Sequence, residues 1–527
     1  MLILPDFLSW TTMFFLSLTV AALSALLLLH PRVPLNIVRI HIGIIAIPPL
    51  IALAALLTDN TNRILGPLRL DPLAWLMALF VLTIGLIVQR YSVRYLLGDQ
   101  AYRKYFALLT LTTSAASVTW LSDDLRLLLV CWAVTLLGLT QLIGLNRRWQ
   151  LARNAATFSG RLFALSWLVL LFAIIWLVQV TGHWQLSLAL SEDGLKQFAG
   201  WERTGVNLLL VLAMVIPAAQ WPFQRWLLES VVAPTPVSAV MHAGLVNVGG
   251  IMLTRFAPLF HSDLAQIVLL VLASISVLLG TGIILVQVDY KRQLVASTIA
   301  QMGFMLIQCA LGAYVAAIIH LILHGLFKAA LFLQAGSAVP HHEITSQTSQ
   351  QSSLLWKITG VALGVLVGGS FWLTSPEEGY QLISSLILGW SLSFAWTRLI
   401  ACSQGSIGRV AGFSLLGVAV MVFSIIHHVL SGLLYATVHQ SAQPPMPVVV
   451  LVLFILLLGS AIGAWLARDR SSTSFAVLYL WLVRLGDSHP SSVESHPKYL
   501  TQYFPEEVMN DECNVNTTQN VRRKFEF

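Results

Sequence analysis

The chain has 527 residues, 57% of them hydrophobic and only 10% charged, with a mean hydropathy of +0.79. A soluble chain of this size needs far more polar surface, so most of this one belongs in lipid. The formal charge of +7 could suggest nucleic acid, but the basic residues are scattered at the ends of apolar runs, where membrane orientation explains them better.

Apolar runs near the roughly 20 residues of a spanning helix recur from end to end. Expected spans fall at 8–29, 40–57, 70–89, 105–121, 125–145, 161–180, 205–228, 236–257, 264–288, 293–311, 313–335, 355–373, 380–401, 409–436 and 447–467. The fold class is an all-α polytopic membrane protein with about 14–15 transmembrane helices. The opening "MLILPDFLSW" lacks a basic segment, and the apolar run after it is too long for a cleaved signal, so it reads as the first span. The organisation expected is N-terminal helices over 1–104, a core over 105–401, further helices over 402–470, and an interfacial helix with a cytoplasmic tail over 471–527.

Arg32 and Arg39, then Arg90, Arg94, Arg103 and Lys104, then Arg147, Arg148 and Arg153, then Lys291 and Arg292 follow alternate spans. The positive-inside rule places the N-terminus outside and the C-terminus in the cytoplasm of a bacterial-type inner membrane. "SSTSFAVLYLWLVRLGD" is too short to span and reads as a helix lying on the membrane. Beyond Asp487 the chain is polar and suits ordering by a partner. Of the four cysteines, Cys131, Cys309 and Cys402 sit in apolar runs and Cys513 in the tail. With no C-x-x-C pair they suggest packing rather than a zinc or iron–sulfur site, so no metal or cofactor is expected in this chain.

Two apolar runs contain breaks. Pro217 and Pro222 in "AMVIPAAQWPFQRWLLES" remove backbone donors, and Pro376 interrupts "GGSFWLTSPEEGYQL", where a simple kink or loop is an equal alternative. Downstream, "AAIIHLILHGLFKAALFL" carries His320, His324 and Lys328 at spacings of four, on one helix face about 6 Å apart per step. A charge near the bilayer centre costs roughly 2.5–3.5 kcal/mol on insertion scales. Histidine titrates near neutrality, so the ladder suits a water-assisted proton relay, the alternative being hydrogen bonds to neighbouring helices. His242, in "APTPVSAVMHAGLVNVGG", is either a further station or a packed core histidine, and Asn247 adds a polar group deeper in the span. In "DYKRQLVASTIAQMGFM", Lys291 and Arg292 mark the cytoplasmic edge, and Ser297, Thr298 and Gln301 offer interhelical polar contacts. No phosphate loop, dinucleotide fingerprint or nucleophile motif is present in a credible context, so catalytic residues are not expected.

Taken in order, "YSVRYLLGDQAYRKYFALLTLTTSAA", "AQWPFQRWLLESVVAPTPVSAVMHAG", "DYKRQLVASTIAQMGFM" and "HLILHGLFKAALFLQAGS" resemble the antiporter-like subunits of respiratory complex I and of Mrp-type cation/proton antiporters, over residues 65–340 above all. The resemblance implies a core of inverted repeats with broken helices and a polar axis at mid-membrane, lined here by His242, His320, His324 and Lys328. Three positions depart from the family: Ala133 replaces its fifth-helix glutamate, and Pro217 and Pro376 stand where broken-helix lysines are expected. One branch fits these departures better, the membrane subunits of two-component inorganic-carbon accumulation systems, often called DAB. That likeness implies H⁺ or Na⁺ flow down its gradient, energising CO₂-to-bicarbonate conversion in a large soluble carbonic-anhydrase-like partner that holds the zinc. The alternatives are a subunit of a Mrp-type antiporter or NADH-quinone oxidoreductase-like pump, or a non-conducting anchor for a soluble partner.

Overall fold

A computed structural model describes residues 9–58, 62–260, 264–335, 354–374, 405–435, 446–468 and 472–487, with a few positions between 385 and 396 and Thr437 and Val438. The chain enters α1 (Trp10–Leu28), capped by Ser9, whose side chain accepts from the Thr12 amide. It returns through α2 (Ile37–Ile45) and α3 (Ile47–Thr58), two pieces of the expected 40–57 span. Pro48 and Pro49 open α3, and proline suits a helix start because its missing N–H has no partner there anyway. A short antiparallel hairpin follows, β1 (Arg63–Leu65) and β2 (Leu68–Leu70), and these are the two strands among the described residues, whose other regular elements are helices. Sequence reading missed the hairpin because each strand is only three residues long.

Next come α4 (Pro72–Tyr95), α5 (Tyr102–Leu121), α6 (Leu125–Ile143) and α7 (Gln150–Thr181), each crossing the bundle against its predecessor, then two short turns, α8 (Leu186–Ala189) and α9 (Glu192–Lys196). Acidic side chains set several starts. Asp71 caps α4 by accepting from Ala74 N at 2.7 Å, and Asp124 caps α6 through the amides of Arg126 and Leu127.

The core continues with α10 (Gly200–Val215), a non-helical stretch over 216–224, and α11 (Arg225–Glu229). Then follow α12 (Thr235–Val240), a π-helical turn Met241–Leu245, α13 (Val248–Arg255), α14 (Leu264–Val286), α15 (Tyr290–Ala310), α16 (Tyr314–Ala335) and α17 (Leu354–Thr374). Three more helices, Gly405–Leu434, Met446–Arg468 and Thr473–Gly486, complete the described residues. Gly280 lets α14 and α15 pack backbone to backbone, because a Cβ there would lie 2.7 Å from Ala300 N and 2.8 Å from Ala296 O.

Among the described residues, ten helices are long and apolar enough to cross a membrane. Four other expected spans are also helical. The 105–121 span is α5, the 205–228 span is the broken pair α10 and α11, and 355–373 and 447–467 lie in α17 and Met446–Arg468. Pro376, most of 380–401, Cys402, and the tail from 488 onward with Cys513 lie outside the described residues. Outward-facing apolar side chains such as Leu16, Leu57, Leu137 and Phe172 form the surface that a bilayer covers.

The helix ends define two faces, the one where α1 and α4 begin (the entry face) and its opposite (the return face). At the entry face Leu68 bridges Ser122, and the buried Arg255 at the end of α13 pairs with the buried Asp71 at 2.5 and 2.8 Å. Arg69 also reaches Asp71 at 2.8 Å. Burial pushes the Asp71 carboxyl up, but Arg255 and then Arg69 outweigh it and hold it below the usual carboxylate range. The stability this contributes is complete above the ordinary carboxylate pKa and is lost only as pH falls through the depressed value. Asp71→Ala leaves Arg255 buried without its acid and is expected to cost about 3–5 kcal/mol. A drop in the melting temperature of the purified protein would check this, and an unchanged value would contradict it.

Candidate functional site

Four elements build the polar axis: α15, α16, the π turn and the break after α10. α16 places His320, His324 and Lys328 on the face that meets α15 and the π turn, over about 12 Å of rise. His320 is half-buried, and its Nδ1 lies 3.2 Å from Gln308 Oε1 near the entry-face end of α15. Its ring meets that of His324 edge-on, centroids 6.0 Å apart. His324 is buried, and its Nε2 has no hydrogen-bond partner among the described residues. One turn further, Lys328 Nζ donates to the Leu294 carbonyl at 2.7 Å and to Ser297 Oγ. The Leu294 carbonyl also accepts from Thr298 Oγ1 at 3.0 Å, so it gathers donors from two helices.

His242 comes from the π turn, where Val246 N bonds back to Met241 O at 3.0 Å. Gly325 sits directly against the Ala243 carbonyl and the Phe80 ring, so only a residue without a Cβ lets α16 press onto this turn. The His242 ring stacks on Phe332 of α16, with centroids 4.4 Å apart and planes 15° from parallel. Neither ring nitrogen of His242 has a hydrogen-bond partner among the described residues, although the residue is fully buried. Asn247 donates to the Ala243 carbonyl at 2.7 Å, and its own carbonyl oxygen is likewise buried and unpaired. Buried polar atoms almost always find partners. His242, Asn247 and His324 carry such atoms near the ladder, and Trp120, Trp132, Ser159 and Ser238 carry them elsewhere in the bundle; ordered water is the general way such atoms are satisfied.

The break after α10 contributes through backbone. Pro217 and Pro222 both lie in the non-helical stretch, as the sequence predicts, and Gln220 turns inward there, its Nε2 donating to the Ala218 carbonyl at 2.7 Å. Lys291 is more than an edge charge. Its ammonium donates to the Val231 and Ala233 carbonyls at 2.7 and 2.6 Å, closing the end of the broken helix. Gln301 is half-buried on α15, with no bond to the ladder. Among the described residues no carboxylate bonds to Lys328, whose partners are a carbonyl and a hydroxyl. Ala133, at the family's glutamate position, is half-buried on α6, and Pro217 is buried.

His41 is a buried histidine that sequence reading passed over. Its ring nitrogens lie 2.8 Å from Ser24 Oγ and 2.9 Å from Thr110 Oγ1, with Gln89 bonded to the same threonine. Both nitrogens are satisfied, so His41 is a packed core residue in contrast to His242.

This arrangement, a helical membrane core with a broken helix and a protonatable stripe, defines the antiporter-like class of membrane subunits. Residues 122–408 match the family described as NADH:quinone oxidoreductase/Mrp antiporter, TM, and residues 63–106 match the N-terminus of chain 5 of NADH-ubiquinone oxidoreductase (complex I). The chain belongs to this family. It is 62% identical over 496 residues to the "Probable inorganic carbon transporter subunit DabB" of Bacillus subtilis (strain 168), covering 94% of this chain and 98% of that one. The protein of the same description from Bacillus anthracis is 58% identical over 489 residues, covering 93% and 96%. The fold is similar to a chain of the Mrp complex from Dietzia sp. DQ12-45-1b, with a TM-score of 0.62 and 22% identity, covering 97% of this chain and 61% of that one.

Ser297→Ala removes one of the two described acceptors of the Lys328 ammonium, a charge-assisted bond of about 1.5–3 kcal/mol. Ion flux through the intact complex is expected to fall about tenfold or more and to recover in Ser297→Thr, whose hydroxyl occupies the same place. Equal flux in all three proteins would remove Ser297 from the axis.

Proposed function

We propose that this chain is the membrane subunit of an inorganic-carbon accumulation complex, carrying H⁺ or Na⁺ down its gradient along His320, His324, His242 and Lys328. The flux energises CO₂-to-bicarbonate conversion in a large, soluble, carbonic-anhydrase-like zinc partner on the cytoplasmic side. The observation that carries the reading is the stripe of His320, His324 and Lys328 on one face of α16, tied to α15 at Gln308 and at Leu294 and Ser297, with Lys291 closing the broken helix at the return face. The kinship supports the same reading: the similarity to the Bacillus proteins runs nearly end to end, whereas the "NADH-quinone oxidoreductase subunit L" of Mycobacterium tuberculosis (strain CDC 1551 / Oshkosh) matches over 52% of this chain. The basic loops support a return face turned to the cytoplasm.

The chain's own contribution is to hold and pass the charge. His320 accepts or donates at the Gln308 end, His324 bridges one helical turn, and Lys328 holds the charge against the Leu294 carbonyl and Ser297. His242 faces the same region from the π turn, positioned by Phe332. Chemistry on CO₂ belongs to the partner, and zinc would supply its activated water there.

Lys328→Ala is expected to abolish uncoupler-sensitive bicarbonate accumulation in cells, with loss of at least about tenfold, while the variant still co-purifies with a zinc-containing soluble partner. Retained accumulation would make the chain an anchor. Co-purification with several antiporter-like membrane subunits and no zinc protein would move it to the antiporter or respiratory class.

A further inference from the structure

At the entry face, away from the ladder, a chamber of about 590 Å³ opens between the ends of α4 and α13 and the end of the Gly405–Leu434 helix. Arg63, Arg69 and Arg255 line it, with Ser187, Thr254 and Tyr435 adding hydroxyl-bearing side chains. Two acids among the described residues stand behind this wall. Asp71 is fully buried beneath Arg69 and Arg255, and Asp123 is buried and accepts from the Ser187 amide and hydroxyl at 3.1 and 2.7 Å. Neither acid lines the chamber, whose polar wall is made of arginine and hydroxyl side chains, the Ser187 and Thr254 hydroxyls donating to Asp123 and the Gly250 carbonyl.

Asp71 accepts both bonds of a bidentate pair from Arg255, fixing that guanidinium in place, and the Trp120 carbonyl takes a third at 3.4 Å. That fork is committed to Asp71, whereas Arg69 reaches Asp71 through Nε and is part-exposed, so its planar N–H fork lines the chamber, and such forks suit phosphate in particular. The volume exceeds what one small inorganic ion fills and lies in the range of sites for larger groups. Leu73, Leu190 and Val438 supply apolar wall beside the arginines, matching a group that is charged at one end and apolar at the other. The chamber lies at the entry-face ends of the spanning helices α4 and α13, the depth at which lipid headgroups stand.

We propose that this chamber is a binding site for a phosphate-bearing anion, with the headgroup of an acidic phospholipid as the source its size favours and free phosphate as the other. The site is independent of the ion-carrying reading, because none of its residues belongs to the ladder. An occupant would lie against Arg255, the last residue of the helical segment that begins at His242's π turn.

The test uses the full complex, purified in mild detergent and returned to phosphatidylcholine nanodiscs containing phosphatidylglycerol. Native mass spectrometry reads which lipid is retained. The wild type is expected to keep phosphatidylglycerol over phosphatidylcholine by about tenfold. The preference should fall on raising ionic strength from about 0.1 M to about 1 M, where the Debye length drops from ~10 to ~3 Å. It should also be lost in the Arg63→Gln/Arg69→Gln double variant, which leaves the Arg255–Asp71 pair intact. Displacement of the lipid by inorganic phosphate, with a matching rise in melting temperature in lipid-poor detergent, would assign the site to free phosphate and keep the chemistry. No preference in the wild type, or an equal preference in the variant, would overturn the proposal. The wild-type salt series decides the matter if the variant does not fold.

Discussion

The ammonium of Lys328 has to be held inside a protein whose surroundings are hydrocarbon, and much of the core is arranged around that requirement. Its bonds go to a carbonyl and a hydroxyl of α15, so α15 and α16 must stay in close register along their length. Gly280 ties α14 to α15, and Gly325 lets α16 meet the π turn. Exchange of either small residue for a bulkier one would separate the helices whose facing surfaces create the axis. The stacked pair of His242 and Phe332 then fixes the imidazole in the same region.

Several polar groups of the bundle satisfy one another directly. His41, Gln89 and Thr110 satisfy one another, as do Tyr105 and Ser92 at 2.7 Å. These are closed contacts that hold helices together. Near the ladder, His242, Asn247 and His324 keep buried atoms with no partner among the described residues, as do Trp120, Trp132, Ser159 and Ser238 elsewhere in the bundle. Both lysine ammoniums have two acceptors: Lys291 holds the carbonyls at the end of the broken helix, and Lys328 holds a carbonyl and a hydroxyl of α15. Lys291 lies beside Arg292, which bonds to Asp487 at 2.7 Å and so anchors the Thr473–Gly486 helix to the return face. The outward side of that short helix is apolar at Val477, Leu480 and Trp481, supporting a location along the membrane surface.

Much of this was legible in the sequence. Long apolar runs gave the helices because a membrane segment has one way to satisfy its backbone, and prolines 217 and 222 located the break because each removes a donor. The ladder was readable because the helix period puts residues four apart on one face. Other features required three dimensions. His41 and His242 are both lone histidines in apolar runs, and only their neighbours separate a satisfied ring from an unsatisfied one. The π turn has no strong local signature, and it is defined by how closely Gly325 approaches Ala243. The pairing of Asp71 with Arg255 joins residues 184 positions apart, beyond any spacing rule. Lys291 looked like an orientation charge because its acceptors lie about 60 residues upstream on another element.

Ion flux in proteoliposomes containing the purified complex, under an imposed gradient of protons and separately of sodium, tests the central claim most directly. The account predicts flux of one of the two cations in the wild type, reduced to the leak of empty vesicles in Lys328→Ala at equal reconstitution. Flux that persists unchanged in the variant, or wild-type vesicles no more conductive than empty ones, would contradict a conducting axis through Lys328.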